Sequence, residues 1–162
     1  MLCRSGYVLC LLNPGACCSG AHHDRFNGIP GNVLMDKAKP DDISGIIDFG
    51  DMVKSPLIID LAIASSYQLS LDNDPLGGAL PMIAGYHAIR PLQKPEMELL
   101  ADLIKTRLIT SLLINSYRVS LFPENREYLM ISYESARNFL INLNRRDADE
   151  ALRRVSAACA SV

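Results

Sequence analysis

The order of the secondary-structure signals is the feature that most restricts the fold of this chain. Two short segments rich in Val, Ile and Leu, 32–36 and 43–48, are joined by a polar link containing Pro40, which predicts a β-hairpin. Beyond Asp51 the strand signals stop, and apolar residues recur at helical spacing toward the C-terminus. Strands first and helices afterwards form the α+β pattern, which excludes the alternating order of a doubly wound parallel sheet.

The helical part divides at its prolines and capping residues. The predicted helices cover 58–69, 76–89, 94–121, 125–143 and 147–160. Pro91 closes the second and Pro123 ends the third, because proline cannot continue a helix. We therefore expect an α+β, mainly α fold in which one β-hairpin is followed by about five helices.

The first 21 residues differ in composition from the rest of the chain. They hold four of the five cysteines (Cys3, Cys10, Cys17 and Cys18) and a short apolar run, 7–12, that Asn13, Pro14 and Gly15 end in a turn. That run is too short for a typical secretory signal, so we interpret 1–21 as a poorly structured leader and 22–162 as the folded domain. The odd cysteine count without a C-x-x-C pair favours reduced thiols and a cytoplasmic location.

Composition limits the partners. The 162 residues are 49% apolar and 21% charged, with a net charge of -2, which is typical of one soluble globular domain. No net positive charge attracts the chain to nucleic acid or to anionic lipid. No stretch approaches the roughly 18 apolar residues of a membrane-spanning helix. We therefore expect neither a nucleic acid nor a membrane as a partner.

One segment has the residue pattern of a metal-binding turn. Asp48 ends an apolar strand and is followed by Phe49, Gly50 and Asp51, which places a carboxylate at a glycine turn where a hydrated Mg²⁺ could be held. Asn32 begins the preceding strand, and its side-chain carbonyl would lie across the hairpin from Asp48. The alternative interpretation is that Asp48 only caps the turn that follows it.

Three ordered motifs carry a resemblance to a known family. Segments 31–36 (GNVLMD), 46–51 (IIDFGD) and 58–62 (IIDLA) together resemble the aminoglycoside phosphotransferase and choline kinase-like family, whose members have a protein-kinase-like fold. Segment 121–130 (LFPENREYLM) resembles the hydroxylysine kinase branch of that family, which phosphorylates the hydroxyl of a small amino acid. The likeness covers roughly residues 22–145.

The resemblance implies roles for individual residues. Asn32 and Asp48 correspond to the Mg²⁺ ligands that bridge the nucleotide phosphates, with Asp51 in support. Asp60 corresponds to an internal anchor that accepts hydrogen bonds from the catalytic-loop backbone, which accounts for a charge among Ile58, Ile59 and Leu61. Asp24 corresponds to the base that accepts the substrate proton.

The catalytic loop departs from the family pattern. The family places four residues between its His-x-Asp and the metal-binding Asn, whereas seven separate Asp24 from Asn32. Either an insertion around 28–30 leaves Asp24 as the base, or the base position falls on Asn27, which cannot accept a proton. We favour Asp24, because His22 is in register with it.

The phosphate-covering parts of a kinase are not found in this sequence. It contains no Gly-x-Gly-x-x-Gly, and its first lysine is Lys37, within the hairpin link. We therefore expect residues 22–162 to correspond to a kinase-like C-terminal lobe without its partner lobe.

These patterns lead to one functional hypothesis and two alternatives. The first is a phosphotransferase, in a truncated form, that uses Mg²⁺ and ATP or GTP to phosphorylate the hydroxyl of a small amino acid or amine. The second is a catalytically inactive C-lobe fragment or pseudokinase that acts as a binding module. The third is a small helical interaction module whose motifs are coincidental. His87 and the pair Arg153 and Arg154 are predicted to be structural or solvated side chains in all three.

Overall fold

A computed structural model describes residues 33–35, 43–47, 55–71 and 74–162. Its first elements are two strands, β1 (Val33–Met35) and β2 (Ile43–Ile46), which pair antiparallel as the hairpin prediction requires. Val33 lies opposite Ile46, and the register shifts between Leu34 and Met35. The Ser44 hydroxyl donates a 3.1 Å hydrogen bond to the Leu34 carbonyl and adds a side-chain link between the strands.

Most of the other described residues form helices. They are α1 (Leu57–Ser66), α2 (Leu80–Ile89), α3 (Lys94–Leu121), a 3₁₀ turn (Pro123–Asn125), α4 (Arg126–Leu129), α5 (Tyr133–Asn144) and α6 (Ala148–Cys159). The mainly helical fold with a leading hairpin is therefore confirmed for these residues. None of the described helices is long and apolar enough to cross a membrane.

The long helix α3 is the centre of the packing. Its first half buries Leu100, Ile104 and Leu108, and the helix contacts α1, α5 and α6. The second contact layer is α2 against α6, where Ile83 and Val155 are almost completely buried. Each such side chain stabilises the fold by about 1.5–3 kcal/mol through burial, so this interior fixes where α1 sits.

The start of α2 differs from the sequence prediction. Residues 75–79 form a turn, and α2 begins at Leu80 rather than at residue 76. Gly78 lies so close to the end of the α1 segment that a Cβ at this position would stand 2.2 Å from the Gln68 carbonyl oxygen. This close approach between residues ten positions apart requires a glycine in the turn, and local capping signals do not reveal it.

The predicted helix over 125–143 is also interrupted. Residues 130–132 form a turn between α4 and α5, with a 3.0 Å bond from the Tyr133 N–H to the Met130 carbonyl. Residues 121–128 are all exposed, so core packing does not hold this segment in a continuous helix. Ile131, Ser132 and Tyr133 have only modest helix propensity, and short helices without packing are marginal.

Candidate functional site

The described residues include one of the five predicted site residues, Asp60. Asp24, Asn32, Asp48 and Asp51 lie outside the described residues, so their predicted roles stay predictions. The structure does describe the two strands next to them in sequence, because Asn32 directly precedes β1 and Asp48 follows β2 by two residues.

The strand register bears on these flanking positions. Val33 and Ile46 are opposite each other in the antiparallel pair, so the chain enters β1 and leaves β2 at the same end of the hairpin. The first described residue beyond that end is Ile47, whose side chain is 46% exposed. Ile47 is therefore not part of the described core.

Asp60 lies in the first turn of α1 and is partly buried. Its neighbours Ile58 and Leu61 are core residues, with exposures of 7% and 2%. The Asp60 Oδ2 atom is inaccessible to solvent and has no hydrogen-bond partner among the described residues. A buried carboxylate oxygen is costly to leave without a donor, and the predicted anchor role would supply donors from the catalytic-loop backbone.

Two opposing effects act on the ionisation of Asp60. A carboxylate near a helix N-terminus is stabilised by about 0.3–1 kcal/mol through the helix dipole, which would lower its pKa. Burial instead raises the pKa of Asp60 from 3.8 to about 6. Because the pKa of Asp60 is raised and not lowered, desolvation outweighs the helix dipole.

His87 has a structural role. Its Nδ1 atom accepts a 3.0 Å hydrogen bond from the backbone N–H of Leu92, beyond the end of α2. That bond requires an unprotonated Nδ1, so the imidazole holds the turn between α2 and α3 and its Nδ1 lone pair is occupied. This agrees with the expectation that His87 is not a catalytic base.

Two side-chain contacts, each made by an arginine, were not expected from the sequence. The Arg107 guanidinium donates a 2.7 Å hydrogen bond to the Tyr67 hydroxyl and lies 5.7 Å from the centre of that ring, joining α3 to the end of α1. Arg154 donates to the Asp74 carboxylate while its side chain stays 41% exposed, so the predicted solvated side chain has a partner that the sequence did not indicate. Forty and eighty residues separate these pairs, and no local pattern points to them.

The described residues contain no cluster of side chains that could bind a metal ion. Across residues 33–35, 43–47, 55–71 and 74–162, no three His, Cys, Asp or Glu side chains lie together in an arrangement that could hold an ion. The donor types predicted for Mg²⁺, one amide and two carboxylates, are the oxygen ligands that this ion prefers.

Comparison with a family model gives a match over residues 27–92. The model is described as "Phosphotransferase enzyme family". The matched range contains Asn32, Asp48, Asp51 and Asp60, and it begins after Asp24.

Comparison with curated proteins gives several hydroxylysine kinases. The chain is 37% identical over 120 residues to "Hydroxylysine kinase" of Xenopus laevis, covering 70% of this chain and 32% of that protein. For Danio rerio the identity is 35% over 133 residues, with 82% and 38% covered, and for Mus musculus it is 34% over 107 residues, with 62% and 28% covered. The chain thus spans about a third of the length of the curated relatives it matches. No solved structure matches.

Proposed function

Because this chain belongs to the aminoglycoside phosphotransferase family and to its hydroxylysine kinase branch, we propose that it phosphorylates the hydroxyl of a small amino acid or amine, with hydroxylysine as the first candidate. In this proposal residues 22–162 are the C-terminal lobe of a kinase-like fold, and ATP or GTP is the phosphoryl donor.

The observation that carries the proposal is the combination of a hairpin, a D-x-G segment and Asp60 within the family match. The buried, unpartnered Oδ2 of Asp60 has the acceptor capacity that an anchor for the catalytic-loop backbone needs. The antiparallel register supports the idea that Asn32 and Asp48 flank one end of the hairpin. Both residues are proposed as metal and nucleotide ligands, with Asp51 in support.

The proposed reaction transfers the γ-phosphoryl group of the nucleotide to the substrate hydroxyl. The substrate hydroxyl oxygen forms a bond to the γ-phosphorus, and the bond from that phosphorus to the β,γ-bridging oxygen breaks, releasing the nucleoside diphosphate. Asp24 accepts the hydroxyl proton. A bound Mg²⁺ supplies charge neutralisation of the phosphates, and Asn32 and Asp48 would hold it. Asp60 keeps the catalytic loop in position and touches no reacting atom.

One observation favours a second candidate function. The Asp24-to-Asn32 spacing is three residues longer than the family pattern. Phosphoryl transfer depends on positioning, so such a change can remove turnover while leaving ligand binding intact. The second candidate is therefore a catalytically inactive C-lobe module that binds a ligand without transferring phosphate.

Turnover rates and nucleotide affinities of variants test the roles proposed for Asp48 and Asp24. We expect Asp48→Ala to abolish both Mg²⁺-dependent nucleotide binding and phosphorylation of hydroxylysine, whereas Asp102→Ala, at an exposed position of α3, changes neither. Asp24→Asn should lower the turnover rate by at least about a hundredfold with nucleotide binding unchanged, as removal of a general base does.

Two other outcomes would change the base assignment or favour the second candidate function. If Asn27→Ala and not Asp24→Asn removes turnover, the base assignment is wrong. If the purified chain binds Mg²⁺ and nucleotide without transferring phosphate, the second candidate function is correct.

A further inference from the structure

The second half of α3 exposes an apolar stripe. Ile109, Leu113, Tyr117 and Leu121 follow one another at intervals of four residues, and their exposed fractions are 44%, 66%, 65% and 52%. Residues spaced by four lie on one face of a helix, so these four side chains form a continuous row about 18 Å long. We call this row the α3 stripe.

The core does not use the α3 stripe. The buried residues of α3 are Leu100, Ile104 and Leu108, which belong to the first half of the helix. Ile114 and Phe122, which neighbour the stripe in sequence, are also about half exposed. Contiguous exposed apolar surface of this kind is uncommon on a monomer and marks an interaction site.

Most of the surface around the stripe is uncharged. Between Asp102 and Arg118 every exposed position of α3 carries a Thr, Ser, Ile, Leu or Tyr side chain. Lys105 and Arg107, the cations in that interval, are partly buried, and Arg107 donates to Tyr67. The exposed Arg118 adjoins the C-terminal end of the stripe near Leu121. A second molecule can therefore cover the stripe from Ile109 to Tyr117 without desolvating a charge.

The spacing of the stripe makes it complementary to itself. Rows of side chains at i and i+4 are the ridges that interdigitate when both helices use the same row, which gives the common crossing angle of about -50°. A two-fold axis presents the same row on both helices. We propose that two copies of this chain pair through their α3 stripes about a two-fold axis.

The available area fits a modest dimer. The stripe with Ile114 and Phe122 offers six half-exposed side chains per copy, at on the order of 100 Å² each. Two copies would bury roughly 1,200 Å², the lower end of the range for specific interfaces. We therefore expect a dimer that dissociates on dilution. This inference is independent of the phosphotransferase proposal, because it uses none of the predicted site residues.

Sedimentation equilibrium of the full 162-residue chain tests the proposal. We expect a concentration-dependent mass that approaches twice 17.8 kDa. Leu113→Glu and Tyr117→Glu should each raise the dissociation constant at least about thirtyfold, as loss of a central interface side chain does. The far-UV circular dichroism should not change, because both side chains are about two-thirds exposed.

Leu99→Glu is the matched control. Leu99 is a 54% exposed leucine on the same helix, more than two turns before the stripe, so its replacement should leave the dimer intact. A wild-type chain that stays monomeric at every concentration would overturn the proposal and indicate another cover for the stripe. Association that Leu113→Glu leaves unchanged, or that Leu99→Glu weakens equally, would overturn it as well.

Discussion

Asp60 is a carboxyl group whose ionisation in the folded chain is opposed by burial. The pKa of this carboxyl is raised to about 6 by burial, above the value of about 3.9 in an unfolded chain. The folded state therefore holds the proton more tightly than the unfolded state does. The free energy of unfolding is expected to fall as the pH rises from about 4 through about 6, and the full penalty is present above that range.

The first prediction concerns Asp60→Asn. At pH 7.5 the variant should be more stable than the wild type by about 1–2 kcal/mol, less than the full shift implies, because the side chain is only partly buried. At pH 4 the gain should vanish, because Asp60 is then protonated in the folded state. Urea unfolding at the two pH values measures both numbers, and loss of phosphorylation by the same variant would support the anchor role.

The exposed Asp102 supplies the control for that comparison. Asp102→Asn should change the free energy of unfolding by no more than about 0.5 kcal/mol at either pH, since its carboxylate is 71% exposed and faces Lys105 at 3.7 Å. A destabilised Asp60→Asn at pH 7.5 would contradict the account in which burial alone sets this pKa, and would instead mean that the carboxylate accepts strong hydrogen bonds, as the proposed anchor role requires.

A second residue-scale prediction concerns the bond between α1 and α3. Tyr67→Phe keeps the ring against Arg107 but removes the 2.7 Å acceptor of the guanidinium, whose Nε is already buried without a described partner. We expect the free energy of unfolding to drop by about 1.5–3 kcal/mol, the usual effect for a hydrogen bond to a charged group. Tyr128→Phe, at a 76% exposed position, should be neutral in the same thermal or urea unfolding assay.

At the scale of elements, α3 begins where its local sequence predicts. Glu96 accepts a 2.9 Å hydrogen bond from the Gln93 backbone N–H, and Gln93 caps the helix in return. Arg90 donates to Glu96 at 2.8 Å, and this bond is the main cause that lowers the pKa of Glu96. The sequence predicted these bounds because Lys94, Pro95 and Glu96 are a local start signal.

Glu96→Ala should therefore weaken the start of α3. We expect a loss of about 1–2 kcal/mol in the free energy of unfolding at pH 7, whereas Glu98→Ala, in an exposed pair with Lys94, should cost under about 0.5 kcal/mol. The folded pKa of Glu96 is lowered, so its contribution is present above the unfolded pKa and is lost as the pH falls through the folded value. Equal losses for the two variants at pH 7 would contradict this role of Glu96.

The turn before α2 gives the other element-scale prediction. Gly78→Ala places a Cβ against the Gln68 carbonyl, a backbone atom that cannot turn aside, so we expect a loss of at least about 2 kcal/mol. Gly45→Ala is the control, because its nearest contact would be an ordinary 3.6 Å to a Leu34 methyl. Unchanged stability of Gly78→Ala would show that the two segments do not approach as described.

Local signals predicted the helices better than they predicted the contacts between them. Prolines and caps gave the bounds of α3 and the start of α6, where the Asp147 side chain accepts from the Asp149 N–H at 3.2 Å. The late start of α2 goes with the close approach of Gly78 to Gln68, the break at 130–132 with an exposed segment that lacks core packing, and the Arg154 contact to Asp74 joins residues eighty apart. Such contacts have no periodicity to detect.

For the whole molecule, the sequence predicted the fold class and the family more fully than the site geometry. The order of hairpin and helices was sufficient for the fold class, and the three motifs led to the family that the comparisons support. Of the site, Asp60 alone lies among the described residues, and its unpartnered carboxylate oxygen is what the structure adds.

The most direct test is transfer of isotopically labelled γ-phosphate from ATP or GTP, with Mg²⁺, to hydroxylysine by the purified chain. Lysine is the matched substrate control, because it lacks the acceptor hydroxyl. We expect labelled phosphohydroxylysine, no labelled lysine, and no product with Asp48→Ala. Absence of labelled hydroxylysine with both nucleotides, from a chain whose folding is confirmed by circular dichroism, would contradict the proposed activity of this chain.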